Sequence, residues 1–346
     1  GIFKLQDEIA GAVVKQLKLK LLTGPSKSAA SSPAKIEVHN LLLQGKFFHD
    51  KLNKESVHKA VDFYQQAIAI DSFNARAWAL LASGYSRQAW QNYIDQKEGY
   101  EKAREAALKA IGLDDGLANG HLVLGDIKLY HDFDWKGAEA EFQKALALEP
   151  SNADILRSIG SLHSTLGHSD EAIRVTKQSI DLDPLRPITH MNQGNNLTYV
   201  NRYDEAIVSF KKALELNPQF ERAHIYIGRT KLLQGKPEMA LAEMQQETGE
   251  GFRTFGMALA YHALGRKKEA NEVLNDFVSK YQNNWKYLIA EIYAYRGEKD
   301  TGMQWLEKAY KEKDSWLFWL KGDPLLKNLE SDPRYAALLK KMGLEK

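Results

Sequence analysis

The side chains in this 346-residue sequence that could do chemistry are its ten histidines, the serine beside Gly160, the Gly45-Lys46 pair and a scatter of arginines and carboxylates. Metal ligation needs imidazoles that converge, yet His121, His190 and His224 lie far apart along the chain. His163 and His168 are five apart, which suits them badly for one helical face. Gly160 lacks the second glycine of a nucleophile elbow and falls inside a helical run, not at a strand-to-helix turn. Gly45-Lys46 has no preceding glycine at phosphate-loop spacing and no strand leading into it. There is no cysteine, which excludes disulfides, thiolate zinc sites, iron–sulfur clusters and a cysteine nucleophile. No enzymatic activity, metal or cofactor is therefore expected, and binding is the chemistry that remains.

Composition bounds what is bound. Apolar residues make up 44% and charged residues 27%, the balance of an ordered globular chain. Lys and Arg total 47 against 45 Asp and Glu, and a net charge of +2 gives no reason to expect nucleic acid or an anionic membrane as an obligatory partner. No apolar run approaches the roughly 20 residues of a spanning helix; Lys15, Lys18 and Lys20 break up one of the nearest candidates. Gly1-Ile2-Phe3 is not a charged leader before an apolar segment, so no secretory signal is expected, and the missing Met suggests a fragment of a longer chain or a cleaved tag. A cysteine-free chain suits cytosol and periplasm alike, which leaves the compartment open.

The elements that must position these side chains are repeats. Pro150, Pro184 and Pro218 are 34 residues apart; Ala138, Ala172, Ala206 and Ala240 keep the interval, as do Gly160, Gly194 and Gly228. A further column runs Gly167, Asn201, Gly235. From Ala153 to Asp183, apolar residues follow helical spacing, break at Gly167-His168-Ser169, and resume from Asp170 until Pro184 ends the run. One period is thus a helical hairpin. Small residues in the Gly160 and Ala172 columns let its two helices approach, the Gly167 column supports a left-handed turn, and the prolines terminate the second helix.

Period and columns together resemble the tetratricopeptide repeat, whose pattern is Trp-x2-Leu-Gly-x2-Tyr, then Ala-x3-Phe-x2-Ala, then Pro. The fit is closest through Ala138, Phe142, Ala145 and Pro150, and through Ala206, Phe210, Ala213 and Pro218. Trp78, Leu81, Ala82 and Tyr85 open an earlier repeat with an insertion around Trp90 to Gly99, and Leu41, Gly45, Phe48, Ala60, Tyr64 and Ala67 form a first. Tyr293, Gly297 and Ala309 mark a degenerate last one. His121, His190 and His224 stand in the slot that usually holds the repeat's Trp, which implies a packing role.

The resemblance implies an all-α, right-handed superhelical α-solenoid of about eight hairpins over residues 34–313. Residues 314–346 would form a carboxy-terminal helical cap over the last hairpin's exposed face. It also implies a concave groove, lined mainly by first helices, that binds a protein or peptide. The family's groove positions fall on Arg157, Met191, Asn195, Arg222, Arg229, Phe255 and Tyr287. Arg and Asn would take a peptide's backbone or carboxylates, and the aromatic residues would anchor its apolar side chains. The chaperone-type carboxylate clamp is not matched, since its Lys and Asn positions hold Leu42 and Lys46. Asn195 is a single groove asparagine and not a ladder.

The flanks carry a second resemblance. Residues 1–22 are amphipathic, with Leu5, Ile9, Val13 and Leu17 on one drifting helical face, although the Leu17, Leu19, Leu21 alternation equally fits a short strand, and residues 23–33 (TGPSKSAASSP) read as a flexible linker. Ile2 to Ala10, together with Asp323-Pro324-Leu325 and Asp332-Pro333-Arg334-Tyr335, resemble bacterial multidomain signalling proteins in which a TolB-like domain leads into tetratricopeptide repeats. In that group a winged-helix, class III nucleotidyl cyclase or kinase domain lies further upstream. The resemblance implies the sensory or regulatory half of such a protein, retaining a remnant of the TolB-like domain. An envelope or secretion assembly factor is the alternative. The unpartnered stripe on residues 1–22 is expected to dock on a repeat surface, its own or that of a second copy, giving self-association.

Overall fold

The computed structural model describes residues 32–51 and 53–345; Leu5, Ile9, Val13, Leu17 and most of the linker lie outside the described residues. Among the described residues there is no strand, and seventeen α-helices form eight consecutive hairpins and a terminal helix. The hairpins are α1 (Pro33–His49) with α2 (Lys54–Ile70), α3 (Ala75–Trp90) with α4 (Gln96–Leu113), α5 (Ala118–Ile127) with α6 (Trp135–Leu148), and α7 (Ala153–Thr165) with α8 (Ser169–Leu182). They continue as α9 (Pro187–Tyr199) with α10 (Tyr203–Leu216), α11 (Ala223–Leu233) with α12 (Pro237–Met244), α13 (Glu250–Ala263) with α14 (Lys267–Tyr281), and α15 (Lys286–Tyr295) with α16 (Lys299–Lys311). Two 3₁₀ turns, Ser315–Trp319 and Pro324–Leu329, lead to α17 (Pro333–Lys341).

Local chemistry explains the hairpins. Asn53, Asn74, Asp95, Asp134 and Asn152 cap the helices that follow them, each side chain accepting a backbone N–H of the first turn. The turn inside hairpins four to eight is made by Gly167, Asn201, Gly235, Gly265 and Gly297, all at φ between +61° and +79°. That is the left-handed region glycine and asparagine enter most readily, and Gly265 and Gly297 make the same turn in the seventh and eighth hairpins although they fall off the 34-residue interval. Hairpin three solves the same problem differently. A π-helical turn, Lys128–Asp132, extends α5 and puts Phe133 at φ 58°.

Within the hairpins, large rings rest on bare backbone. A Cβ added at Gly45, Gly125 or Gly194 would collide with the ring of Tyr64, Phe142 or Phe210, each buried on the second helix of its hairpin. The histidines in the tryptophan slot serve as ties. His121 Nδ1 and Lys128 Nζ both bond Glu141, at 2.8 and 3.0 Å, and three hairpins on His224 and Lys231 hold Glu243 at 2.8 and 3.1 Å. His190 Nε2 bonds the Pro184 carbonyl at 2.9 Å.

The carboxy-terminal segment does more than sit on the last hairpin. Pro324–Leu329 lies against α15 and α16, and α17 against α16. Ser315–Leu320, however, turns into the concave face. Trp316 stacks on Trp90 of the second hairpin at 6.0 Å and lies 6.0 Å from Phe252 of the seventh. Phe318 meets Tyr130 edge-on at 4.9 Å, Trp319 meets Tyr199 at 5.7 Å, and Lys321 Nζ donates to the Leu166 carbonyl at 2.8 Å. Further along, Trp135 Nε1 donates to the Met342 carbonyl at 2.6 Å. The chain's end therefore bridges hairpins two to five from hairpin eight.

Candidate functional site

The first helices of successive hairpins line one concave face, and the carboxy-terminal segment divides it into a filled half and an open half. In the filled half, Arg229 Nη2 donates to Glu291 Oε1 at 2.8 Å and to Asp323 Oδ1 at 3.1 Å, while the Tyr287 hydroxyl donates to Asp323 Oδ2 at 2.9 Å. Burial raises the Glu291 carboxyl well above its usual range, against the opposing charge of Arg229. Burial also works against ionised Asp323, but Arg229 and hydrogen bonds including those from Leu325 N–H and Tyr287 outweigh it and keep that carboxyl low. Burial and the shared arginine thus push the two carboxyls in opposite directions. Phe255 and Tyr287 are each 1% exposed. Three of the residues singled out from the sequence, Arg229, Phe255 and Tyr287, are therefore on the expected face but covered by the chain itself.

The open half is a cavity of about 540 Å³ reached by α1, α2, α3, α5, α7, α9 and α11, with Phe318 and Trp319 of the carboxy-terminal segment in its wall. Arg157, Met191, Asn195 and Arg222, the other four residues singled out from the sequence, come together here. Six basic side chains line it, Lys46, Arg76, Arg87, Arg157, Arg186 and Arg222, against four acidic ones, Asp50, Asp126, Glu149 and Asp154.

These charges are unequally committed. Arg186 is held by Asp154 at 3.1 Å and Asp183 at 2.9 Å. Arg157 Nε lies 3.6 Å from Asp154, beside Asp126, whose carboxyl is raised by burial despite that arginine. Arg222, in the left-handed region at φ 77° where α11 begins, anchors its backbone N–H on Glu247 at 2.9 Å and lays its guanidinium over Trp90 at 4.7 Å, with Trp316 at 5.7 Å. Arg87 makes no hydrogen bond or ion pair among the described residues; burial, with the charges of Arg157 and Arg222, lowers its pKa. Asn119 Nδ2 donates to the Ala79 carbonyl and Ser83 Oγ, each at 3.2 Å, and Asn192 Nδ2 to Ser161 Oγ at 3.2 Å.

Arg76, Arg87, Asn119, Asp126 and Asn192 escaped the reading of the sequence. A signal for three of them existed. The family's groove positions are the second, fifth, ninth and twelfth residues of a repeat, and counted from the start of α3 and α5 they include Arg76, Asn119 and Asp126, so that Asn119 makes Asn195 less solitary than it looked. Arg87 falls one residue past the last of those positions and Asn192 between two of them, and both become visible only once the helices are placed.

Sequence profiles of the tetratricopeptide repeat match residues 153–184 and 187–220, the fourth and fifth hairpins. Among solved structures, the human IFIT1 dimer with m7Gppp-AAAA is similar in fold, with a TM-score of 0.56 at 15% identity over 84% of this chain and 74% of that one. PilW, a type IV pilus biogenesis factor, is 20% identical with a TM-score of 0.48 over 60% of this chain and 96% of its own. TTC0263, a repeat protein of Thermus thermophilus, is 19% identical with a TM-score of 0.46, covering 56% and 99%. The chain carries tetratricopeptide repeats and folds as the all-helical solenoid they build, an architecture that typically serves protein interaction.

Proposed function

We propose that this chain is a non-catalytic interaction scaffold that seats part of a partner protein in the concave cavity. The observation that carries the reading is the cavity itself, about 540 Å³ bounded by polar and basic side chains, on a face whose other half the chain fills with its own residues. That volume is within the range of about 300 to 1,000 Å³ in which specific ligands are held. Asn119, Asn192 and Asn195 offer amides of the kind that orient a peptide backbone. A photo-crosslinking residue placed at Asn195 should capture a protein partner in cells, and one placed at Val208, exposed on α10, should not. Capture from neither position, or equally from both, would remove the reading.

The flanking residues support a narrower role. Their likeness to TolB-like, repeat-bearing signalling proteins favours the regulatory half of such a protein, in which occupancy of the cavity alters an output domain upstream. The stripe of Leu5, Ile9, Val13 and Leu17 favours docking on a repeat surface or on a second copy. Deleting residues 1–22 should lower the melting temperature or turn a dimer into a monomer by light scattering. No change in either would rule the docking out.

A further inference from the structure

We propose that the cavity is a blind-ended receptor for a carboxylate-bearing end, with Arg87, Arg157 and Arg222 as its anion-binding groups; the proposal rests on the cavity being the binding site. The blind end follows from the course of the chain. Trp316 to Lys321 crosses the concave face from Trp90 to Leu166, and Phe318 and Trp319 wall the cavity on that side, so a ligand that reaches them goes no further. What it presents there must be a terminus or a side-chain tip.

The sign of that tip follows from the lining. Six basic groups face four acidic ones in the lining, and with Asp183 holding Arg186 from outside it the excess of positive charge centres on Arg87, Arg157 and Arg222, in a partly desolvated space where charge interactions are strong. Arg87 and Arg222 have no carboxylate partner for their guanidinium groups among the described residues. The Arg222 guanidinium lies 4.7 Å from Trp90 and 5.7 Å from Trp316, two indoles stacked on each other to one side of it, and its N–H groups make no hydrogen bond among the described residues. Burial and then the charges of Arg157 and Arg222 lower the Arg87 pKa against the opposing charges of Asp154 and Asp126, and an anion among the three arginines offsets that repulsion. A singly charged carboxylate suits that small excess better than a multiply charged phosphate, which Asp50, Asp126, Glu149 and Asp154 would repel more strongly. Guanidinium and carboxylate pair through two parallel hydrogen bonds, so orientation is selected as well as charge.

The test uses the full chain and fluorescence anisotropy with fluorescein-labelled pentaglutamate bearing a free carboxy terminus, pentaglutamine as the neutral control, and citrate as competitor. Pentaglutamate should bind, pentaglutamine should bind at least about tenfold more weakly, and Arg87→Gln should weaken pentaglutamate by about tenfold, the loss expected for one charged hydrogen bond. The melting temperature of Arg87→Gln should stay at the wild-type value, because Arg87 ties no other side chain. Displacement by citrate at concentrations similar to the peptide's would assign the site to small organic acids, and much weaker displacement to a peptide end; both support the proposal. Absence of pentaglutamate binding, or binding untouched by Arg87→Gln, overturns it. If the Asn195 crosslink to a partner protein persists in that case, the scaffold reading stands and only the charge assignment falls.

Discussion

At the scale of single residues, the buried ionisable groups divide into those that close on one another and those left facing the cavity. Asp314 belongs to the first kind. It accepts the N–H of Tyr287 at 3.0 Å and of Trp316 at 3.1 Å, and so fixes the entry of the carboxy-terminal segment into the concave face. Burial outweighs those hydrogen bonds and pushes its carboxyl up to about 6 from an ordinary 3.8. The unfolded carboxyl therefore ionises first as pH rises, and the folded state loses stability between about pH 4 and pH 6, by on the order of 3 kcal/mol. Asp314→Asn cannot ionise, so relative to wild type it should be more stable at pH 7 than at pH 4. Urea unfolding of both proteins at the two pH values checks this, and a constant difference would refute it.

At the scale of the element, the unit is a hairpin whose first helix is thinned by glycine to receive a ring. Gly194→Ala should force the Phe210 ring and α10 away and destabilise by about 1 to 3 kcal/mol. Gly112→Ala, at a helical glycine with nothing within 4 Å of a new Cβ, should be neutral or stabilising by up to about 1 kcal/mol. Thermal unfolding of the pair separates a packing effect from a helix-propensity effect; equal shifts would mean that the glycine column has no steric purpose. This level was legible in the sequence, because Gly194 and Phe210 meet within one hairpin and repeat at a constant interval. Gly265 and Gly297 make the same turn as Gly167 without keeping that interval.

At the scale of the whole molecule, a repeat array is usually one-dimensional, each unit touching only its neighbours. Here the carboxy-terminal segment breaks that rule by carrying Trp316 from the eighth hairpin to Trp90 in the second. Trp316→Ala should destabilise by about 3 to 5 kcal/mol. It should also raise amide exchange in α3, on the far side of the superhelix. Faster exchange confined to α15 and α16 would show that the bridge does not couple the two ends. The proposed receptor depends on the same bridge, since without Phe318 and Trp319 the cavity would open into a through groove.

The sequence by itself determined the hairpin, its period, its number and the face that would be concave, because each rests on contacts between residues a few turns apart that recur every 34 positions. It also put Arg157, Met191, Asn195 and Arg222 on that face, and the structure sets the four in the lining of one cavity. Only the tertiary structure decided that Arg229, Phe255 and Tyr287 are sealed and that Arg87 joins the open half. Those outcomes depend on where a superhelix returns on itself. The pairs that set it, such as Arg229 with Asp323 and Trp90 with Trp316, are far apart in sequence and occur once, so no periodicity announces them.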